Sequence, residues 1–246
     1  MFKKEITSFV RTRNYPSFCP KAVFFDMDGV LFDSMKFHSR AWVEAMSEAG
    51  FTFSSEEAYM NEGQTGFATI NKVFLRDKKR ESTREEREAI YKRKAAFFES
   101  YGAIQKMPYA QALLEKIKNE GLQLFVVTGS AQPALINSVY DNFPDIFEQN
   151  HVITALDVKN GKPDPEPYLK ALEKSGVKHW EAVIVENAPL GVQAGFSSGI
   201  FTIGVNTGPL DKQTLIEAGA NLLFDSMCDL YRQWDDFIAS KTDNFF

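Results

Sequence analysis

Asp26 and Asp28 flank a single residue at the end of the apolar run Ala22-Val23-Phe24-Phe25, and Gly29 follows at once. A run with this β-branched and aromatic bias reads as a buried strand, in which residues i and i+2 share a face. Just past the carboxyl end of such a strand, the pair points into the crevice where open α/β sheets hold their ligands. Like charges this close repel, so the pair calls for a divalent cation or a shared proton. Burying it for structure alone would be costly. The bland alternative is a solvated turn, but perturbed carboxylates cluster at functional sites.

Other strand ends also carry polar residues. The run 122–127 stops at Thr128-Gly129-Ser130, and the run 182–185 stops at Glu186-Asn187. The loop Asn160-Gly161-Lys162-Pro163-Asp164-Pro165 supplies Lys162. Together these residues offer a nucleophile, an acid, a hydroxyl donor, a cation and oxygen ligands. That set suits phosphoryl transfer, whose catalysis is mostly positioning and charge neutralisation. Taken singly, Thr128 reads equally well as a helix cap and Lys162 as a solvated loop charge. Their shared position at strand ends argues against both readings at once.

The elements that must position these residues follow from periodicity. Strands are expected near 21–26, 122–127, 151–153, 182–185 and 200–205, separated by helix-length segments. Such alternation means right-handed crossovers and an α/β fold with a doubly wound parallel sheet. The block 37–105 interrupts it without a convincing strand. Residues 40–46 have helical spacing with Gly50 as a stop, and Ser54-Ser55-Glu56-Glu57 reads as a helix start. The charge-rich stretch 76–94 reads as a solvated helix face. The division is therefore a core of 21–36 plus 106–246, an inserted helical domain at 37–105, and an N-terminal extension at 1–20. Hinges are expected near 33–36 and 106–109. The extension reads as a loose or short helical lead-in without chemistry, and 240–246 as a frayed end.

Composition narrows the function classes. Hydrophobic residues at 44% and charged residues at 25% are ordinary for a soluble globular chain. A net charge of −5 without a basic stripe argues against a nucleic-acid partner. The 22 phenylalanines read as core filling rather than a base-stacking surface. Cys19 and Cys228 lie too far apart for a disulfide framework or a metal-spaced set, so both are expected to be free thiols in a reducing compartment. The basic start lacks an apolar stretch long enough for a signal peptide, and no run is expected to span a bilayer. The expected location is cytoplasmic, with no membrane partner.

Four segments carry a family resemblance. Asp26-Met27-Asp28-Gly29-Val30-Leu31, Val126-Val127-Thr128-Gly129-Ser130, Gly161-Lys162-Pro163 and Val185-Glu186-Asn187-Ala188-Pro189-Leu190-Gly191 resemble, in order, the motifs of the haloacid dehalogenase superfamily. Any one alone is weak; four in order over residues 21–225 are specific. The resemblance implies a Rossmann-like core with the helical insertion as its cap. It implies that Asp26 attacks phosphorus and carries an aspartyl-phosphate, while Asp28 protonates the leaving group and then activates water. It implies Mg²⁺ held by Asp26, the main-chain carbonyl of Asp28 and Asn187, with Glu186 close by. Thr128 and the amides of Gly129 and Ser130 would hold phosphate oxygens, beside the turn at Gly29, and Lys162 would neutralise charge. A carboxylate at Asp28 favours phosphate chemistry over dehalogenation.

The wider resemblance is to the β-phosphoglucomutase-like branch, where Ser34 and His38 match a hinge hydroxyl and histidine. His38 would orient Asp28 or sense cap closure; its bland alternative is an ordinary hydrogen-bonded histidine. His151 and His179 carry no motif and read as structural. Two departures matter. The fourth motif has Asn187 where the family has an acid, which removes a negative charge from the metal site. The cap loop Met60-Asn61-Glu62-Gly63-Gln64-Thr65-Gly66 has Glu62 and Gly66 near positions where the mutase has substrate-binding cations. Glu62 is then the candidate that restores the lost charge on closure. With Asn187 and the run 59–74, it makes the chain closely similar to inorganic-pyrophosphatase-like members of the superfamily from Bacteroidetes. That implies a small phosphate substrate, foremost pyrophosphate, with cap cations Lys72, Arg76 or Lys79, Arg76 first, on the distal phosphate. The alternatives are a sugar phosphomutase or sugar-phosphate phosphatase, and a non-catalytic phosphate- or metal-binding protein. A monomer is expected, because cap opening needs freedom.

Overall fold

The computed structural model describes residues 1–242; residues 243–246, the end of the segment expected to fray, lie outside the described residues. Six strands pair in parallel: β1 (Ala22–Phe25), β2 (Gln123–Val127), β3 (Val152–Ile153), β4 (Ala182–Glu186), β5 (Phe201–Val205) and β6 (Leu222–Phe224). Their spatial order is β3-β2-β1-β4-β5-β6. The order reverses at β1, which pairs with β2 on one side and β4 on the other, Phe25 lying level with both Val126 and Val185. That reversal opens the crevice at the carboxyl ends of β1 and β4. The sixth strand, only three residues long, was not among the expected ones.

All four residues of β1 are buried, as a strand covered on both faces requires. Their alternation divides them between two cores. Val23 and Phe25 pack with Leu113, Leu114 and Ile117 of α6 (Ala110–Asn119) and with Leu230 and Trp234 of α11 (Met227–Ile238). Ala22 and Phe24 pack with Tyr168, Ala171 and Leu172 of α8 (Glu166–Ser175). Helices on both faces are thus the direct result of an apolar strand with no polar side.

The insertion consists of α2 (Met35–Glu48), α3 (Ser55–Met60), α4 (Gly66–Lys78) and α5 (Arg84–Ser100). Reciprocal capping boxes, Ser54 with Glu57 and Thr83 with Glu86, start α3 and α5 and set where their chains turn. The insertion has its own apolar core, including Met46, Phe51, Ile70, Phe74 and Ile90. It leaves and rejoins the main domain through two paired segments. The amide of Asp33 donates to the Gln105 carbonyl, and the amide of Met107 to the Leu31 carbonyl. Among the described residues, no helix is long and apolar enough to cross a membrane.

Residues 1–20 are more than a lead-in. They form α1 (Lys3–Arg13), whose Ile6, Phe9 and Val10 are buried. Phe9 meets Phe18 and Phe201 edge-on, and Phe2 meets Phe224 and Phe237. The other end of the chain is fixed to the same place: Phe18 and Thr242 exchange two main-chain hydrogen bonds, and Ser240 is buried. Residues 240–242 are therefore ordered by pairing rather than frayed. Phe9→Ala should destabilise the protein by about 3–5 kcal/mol, the usual cost of emptying a buried aromatic site. Urea unfolding measures this, and the folded fraction should keep its turnover; a loss below about 1 kcal/mol would make α1 a separable appendage.

Candidate active site

The carboxyl ends of β1, β2 and β4 meet around one ammonium group. Lys162 Nζ donates to Asp26 Oδ1 at 2.5 Å, to Glu186 Oε1 at 2.6 Å and to the Val127 carbonyl at 2.9 Å. That uses all three of its protons. Burial alone would lower the Lys162 pKa; Asp26 and Glu186 outweigh it and hold the group firmly protonated. Burial pushes the Asp26 carboxyl up, with Glu186 and Asp28 adding to the effect against the pull of Lys162. Glu186 is completely buried and spoken for. Oε1 also accepts from the Tyr168 hydroxyl at 2.7 Å, and Oε2 accepts from the amides of Asn187 and Ala188. With both oxygens held by protein donors, Glu186 is placed here as the anchor of Lys162 and of the following turn, not as a direct metal ligand.

A second chain of contacts fixes Asp28. Ser34 Oγ donates to Asp28 Oδ1 at 2.5 Å, and His38 Nε2 lies 3.0 Å from the same oxygen. Lys94 Nζ lies 2.6 Å from His38 Nδ1. A lysine ammonium only donates, so Nδ1 accepts and the ring proton sits on Nε2, facing Asp28. Burial would raise Asp28, but His38 and Ser34 prevail and hold it below the ordinary carboxylate range. Burial, reinforced by Lys94, pulls His38 down and favours the neutral ring. Burial also drops Lys94 to about 8. The His38 ring stacks on Phe98 with centroids 4.0 Å apart.

Lys94 was hidden inside the charged stretch read as a solvated face. The signal that exposes it is its spacing: Ile90, Lys94 and Phe98 are the buried residues of α5, one above the other at intervals of four. The other histidines are structural as expected, His151 on the Leu124 carbonyl and His179 on that of Ser198.

The loop between α3 and α4 brings Glu62 into the same crevice. Glu62 is buried, and its Oε1 accepts from Asn187 Nδ2 at 3.0 Å. Burial, with Asp26 next, pushes the Glu62 carboxyl well up. Asn187 Oδ1 is buried without a hydrogen-bond partner. Gly29 makes room for this amide: its φ is +85°, and a Cβ there would lie 2.1 Å from Asn187 Nδ2. Thr128 Oγ1 accepts from the Ser130 amide at 3.0 Å, closing a tight turn that leaves Gly129 at the surface of the cavity.

A divalent cation fits this set. Four carboxylates, Asp26, Asp28, Glu62 and Glu186, face only two buried lysines. An orphaned amide oxygen lies among them. Among the described residues no three His, Cys, Asp or Glu side chains form a ready-made cage. Mg²⁺ needs none, because it takes one or two carboxylates and completes its shell with neutral oxygens, water and phosphate.

Asp26, Asp28, His38, Glu62, Lys94 and Thr128 contribute to the walls of a cavity of about 70 Å³ between insertion and core. The expected cap cations do not reach it. Arg76 is held at the surface by Glu57, Asp77 and the Thr52 carbonyl, which overturns its expected role on substrate. Lys72 donates to Asn61 Oδ1, and Lys79 to the Arg76 carbonyl. Charge facing the cavity from the insertion comes from Lys94 and Glu62 instead.

Residues 20–199 match the family model described as "Hydrolase: haloacid dehalogenase-like hydrolase". Hexitol phosphatase A of Escherichia coli (strain K12) is 30% identical over 200 residues, covering 80% of this chain and 88% of that one. The 2-deoxyglucose-6-phosphate phosphatase 1 of Saccharomyces cerevisiae is 28% identical, covering 84% and 86%. The solved structure "Putative beta-phosphoglucomutase from Bacteroides vulgatus" superposes with a TM-score of 0.95 at 51% identity, covering 98% of both chains.

The Lys94 contact makes a spectroscopic prediction. At neutral pH, ¹⁵N NMR of His38 should show Nδ1 unprotonated and Nε2 protonated; the opposite tautomer would contradict the geometry. Lys94→Met should cut turnover about 10- to 100-fold, the range for losing a group that orients catalytic machinery.

Proposed function

Because this chain belongs to the haloacid dehalogenase-like hydrolases, and within them to the β-phosphoglucomutase-like branch, we propose that it hydrolyses a small phosphate compound through an aspartyl-phosphate on Asp26. Lys162 aims the Asp26 carboxylate and neutralises charge on the phosphoryl group. An Asp26 oxygen forms a bond to phosphorus as the bridging P–O bond breaks and its electron pair leaves with the departing oxygen. Asp28, kept ionised by Ser34 and His38, takes a proton from the water that cleaves the aspartyl-phosphate and releases orthophosphate. Thr128 and the amide of Gly129 hold phosphoryl oxygens, while the Ser130 amide fixes the Thr128 hydroxyl. Mg²⁺, held by Asp26, the Asp28 carbonyl and Asn187, would supply charge neutralisation of phosphate oxygens when bound.

The substrate we infer is inorganic pyrophosphate. The observation that carries it is the depth of Glu62: a buried carboxylate hydrogen-bonded to Asn187 reaches the crevice beside Asp26 and Asp28 and narrows the cavity that they line. A compact, metal-chelating leaving group suits that space better than a sugar. Sugar phosphates are the second reading, and the relatives favour it directly, since those from Escherichia coli and Saccharomyces cerevisiae are named as phosphatases of hexitol phosphate and 2-deoxyglucose-6-phosphate. A mutase acting on sugar bisphosphates needs a cationic anchor for a second phosphate, and the loop carrying Glu62 supplies none.

The test is Mg²⁺-dependent phosphate release from pyrophosphate, hexose phosphates, phosphoglycolate and nucleotides. Selective pyrophosphate turnover, abolished in Asp26→Asn, is the expected result. A broad monoester profile with little pyrophosphate release would select the sugar-phosphate reading. Glu62→Ala should raise the Mg²⁺ concentration for half-maximal activity by about 10-fold or more, in line with losses at groups around a metal. Calorimetric Mg²⁺ binding should weaken in parallel; unchanged binding would confine Glu62 to a structural part.

A further inference from the structure

The cap loop meets the core on glycines. Gly129 follows β2, Gly161 follows β3 and Gly208 follows β5. None has a left-handed backbone, so nothing in their own conformation demands glycine. What excludes a side chain is the cap. A Cβ on Gly129 would lie 2.4 Å from the Gly63 carbonyl oxygen and 3.0 Å from that of Gln64. On Gly161 it would lie 2.7 Å from Thr65 Cγ2, and on Gly208 3.3 Å from the Tyr59 ring. The first obstruction is main chain and cannot swing aside. The loop answers in kind: a Cβ on Gly63 would lie 3.2 Å from Lys162 Cδ and 3.6 Å from the Gly191 amide.

Backbone therefore lies on backbone along the seam, and this close approach carries Glu62 down to Asn187. We propose that Gly129 and Gly161 are specificity-determining residues: by offering no side chain, they let residues 62–65 seat to the depth at which only a phosphate-sized leaving group fits. The proposal rests on the pyrophosphate reading for its choice of substrate, while the socket itself is a matter of contact. One methyl group is enough to hold the loop out, and misplacing a closing element by about 1 Å can cost on the order of 10²-fold in rate.

Gly161→Ala tests this, because the added methyl faces Thr65 of the cap loop and replaces no side chain assigned to phosphate or metal. It should lower kcat for pyrophosphate about 10-fold or more, while glucose 6-phosphate turnover holds or rises. Thr65→Ser removes the obstructing methyl and keeps the hydroxyl that caps α4 through the Ala68 amide. The double variant Gly161→Ala/Thr65→Ser should recover most of the loss, an interaction that a merely destabilising change at Gly161 would not show. Spin labels at Arg80→Cys and Lys174→Cys, in a Cys19→Ser/Cys228→Ser background, report closure without turnover. Gly161→Ala should lengthen and broaden their distance, and the double variant should restore it. Unchanged distances with an unchanged substrate ratio, or no recovery in the double variant, would overturn the socket. A wild-type enzyme that prefers sugar phosphates would overturn the pyrophosphate reading alone, since the label distances still decide the socket.

Discussion

The site depends on one buried ammonium group. Lys162 starts beyond β3, passes β2 at the Val127 carbonyl, and ends between Asp26 after β1 and Glu186 of β4. A single side chain thus ties together three neighbouring strands, β2, β1 and β4, at their carboxyl ends. Removing the ammonium would leave two carboxylates buried without compensation, a loss of about 3–5 kcal/mol. The network is also dense enough to leave Lys162 no choice of rotamer. That rigidity matters for catalysis by positioning, because the nucleophile is held before any substrate arrives.

Around this fixed point the charges do not balance, and the imbalance falls at the cap. The carboxylates of Asp26 and Asp28 belong to the core, and closing the cap adds Glu62 to them. Repulsion and desolvation both oppose that approach, as the raised pKa of Glu62 reflects. Hydrogen bonding from Asn187, the His38 contact with Asp28 and close packing along the seam favour it. The insertion meanwhile has an apolar core of its own, centred on Met46, Phe51, Ile70 and Phe74, while its Ala41 and Phe98 join the main core. Two short paired segments, joined by the bonds from Asp33 and Met107, link it to the main domain.

Much of this was legible because parallel sheets write their sites in a simple way: apolar runs end in polar residues, and the ends converge. Asp26, Asp28, Thr128, Lys162 and Asn187 follow that rule, and the structure brings them together. Glu186 follows it too, yet its oxygens face the protein's own donors, which no linear pattern reveals. Arg76 was expected on the distal phosphate as one of three cap cations. Helical rotation and competition from Glu57 and Asp77 take it to the surface. Lys94 was lost for the opposite reason, since alternating charges on both sides masked a residue standing on the apolar stripe of its helix. The burial of the first helix was similarly masked: Phe2, Ile6, Phe9 and Val10 have helical spacing, but lysines and arginines surround them.

The meeting of the two chain ends has a consequence for how the protein is made. Phe2 lies against Phe237, and Phe18 pairs with Thr242, so the packing of this first segment is completed only when residues 237–242 have been made. The central strand waits almost as long, because Phe25 takes Val185 as a neighbour 160 residues later. The cap, by contrast, is one continuous stretch with short loops. On a ribosome it emerges complete while β1 is the one described core strand yet made. The insertion is thus the part able to fold first, and the sheet assembles beside it.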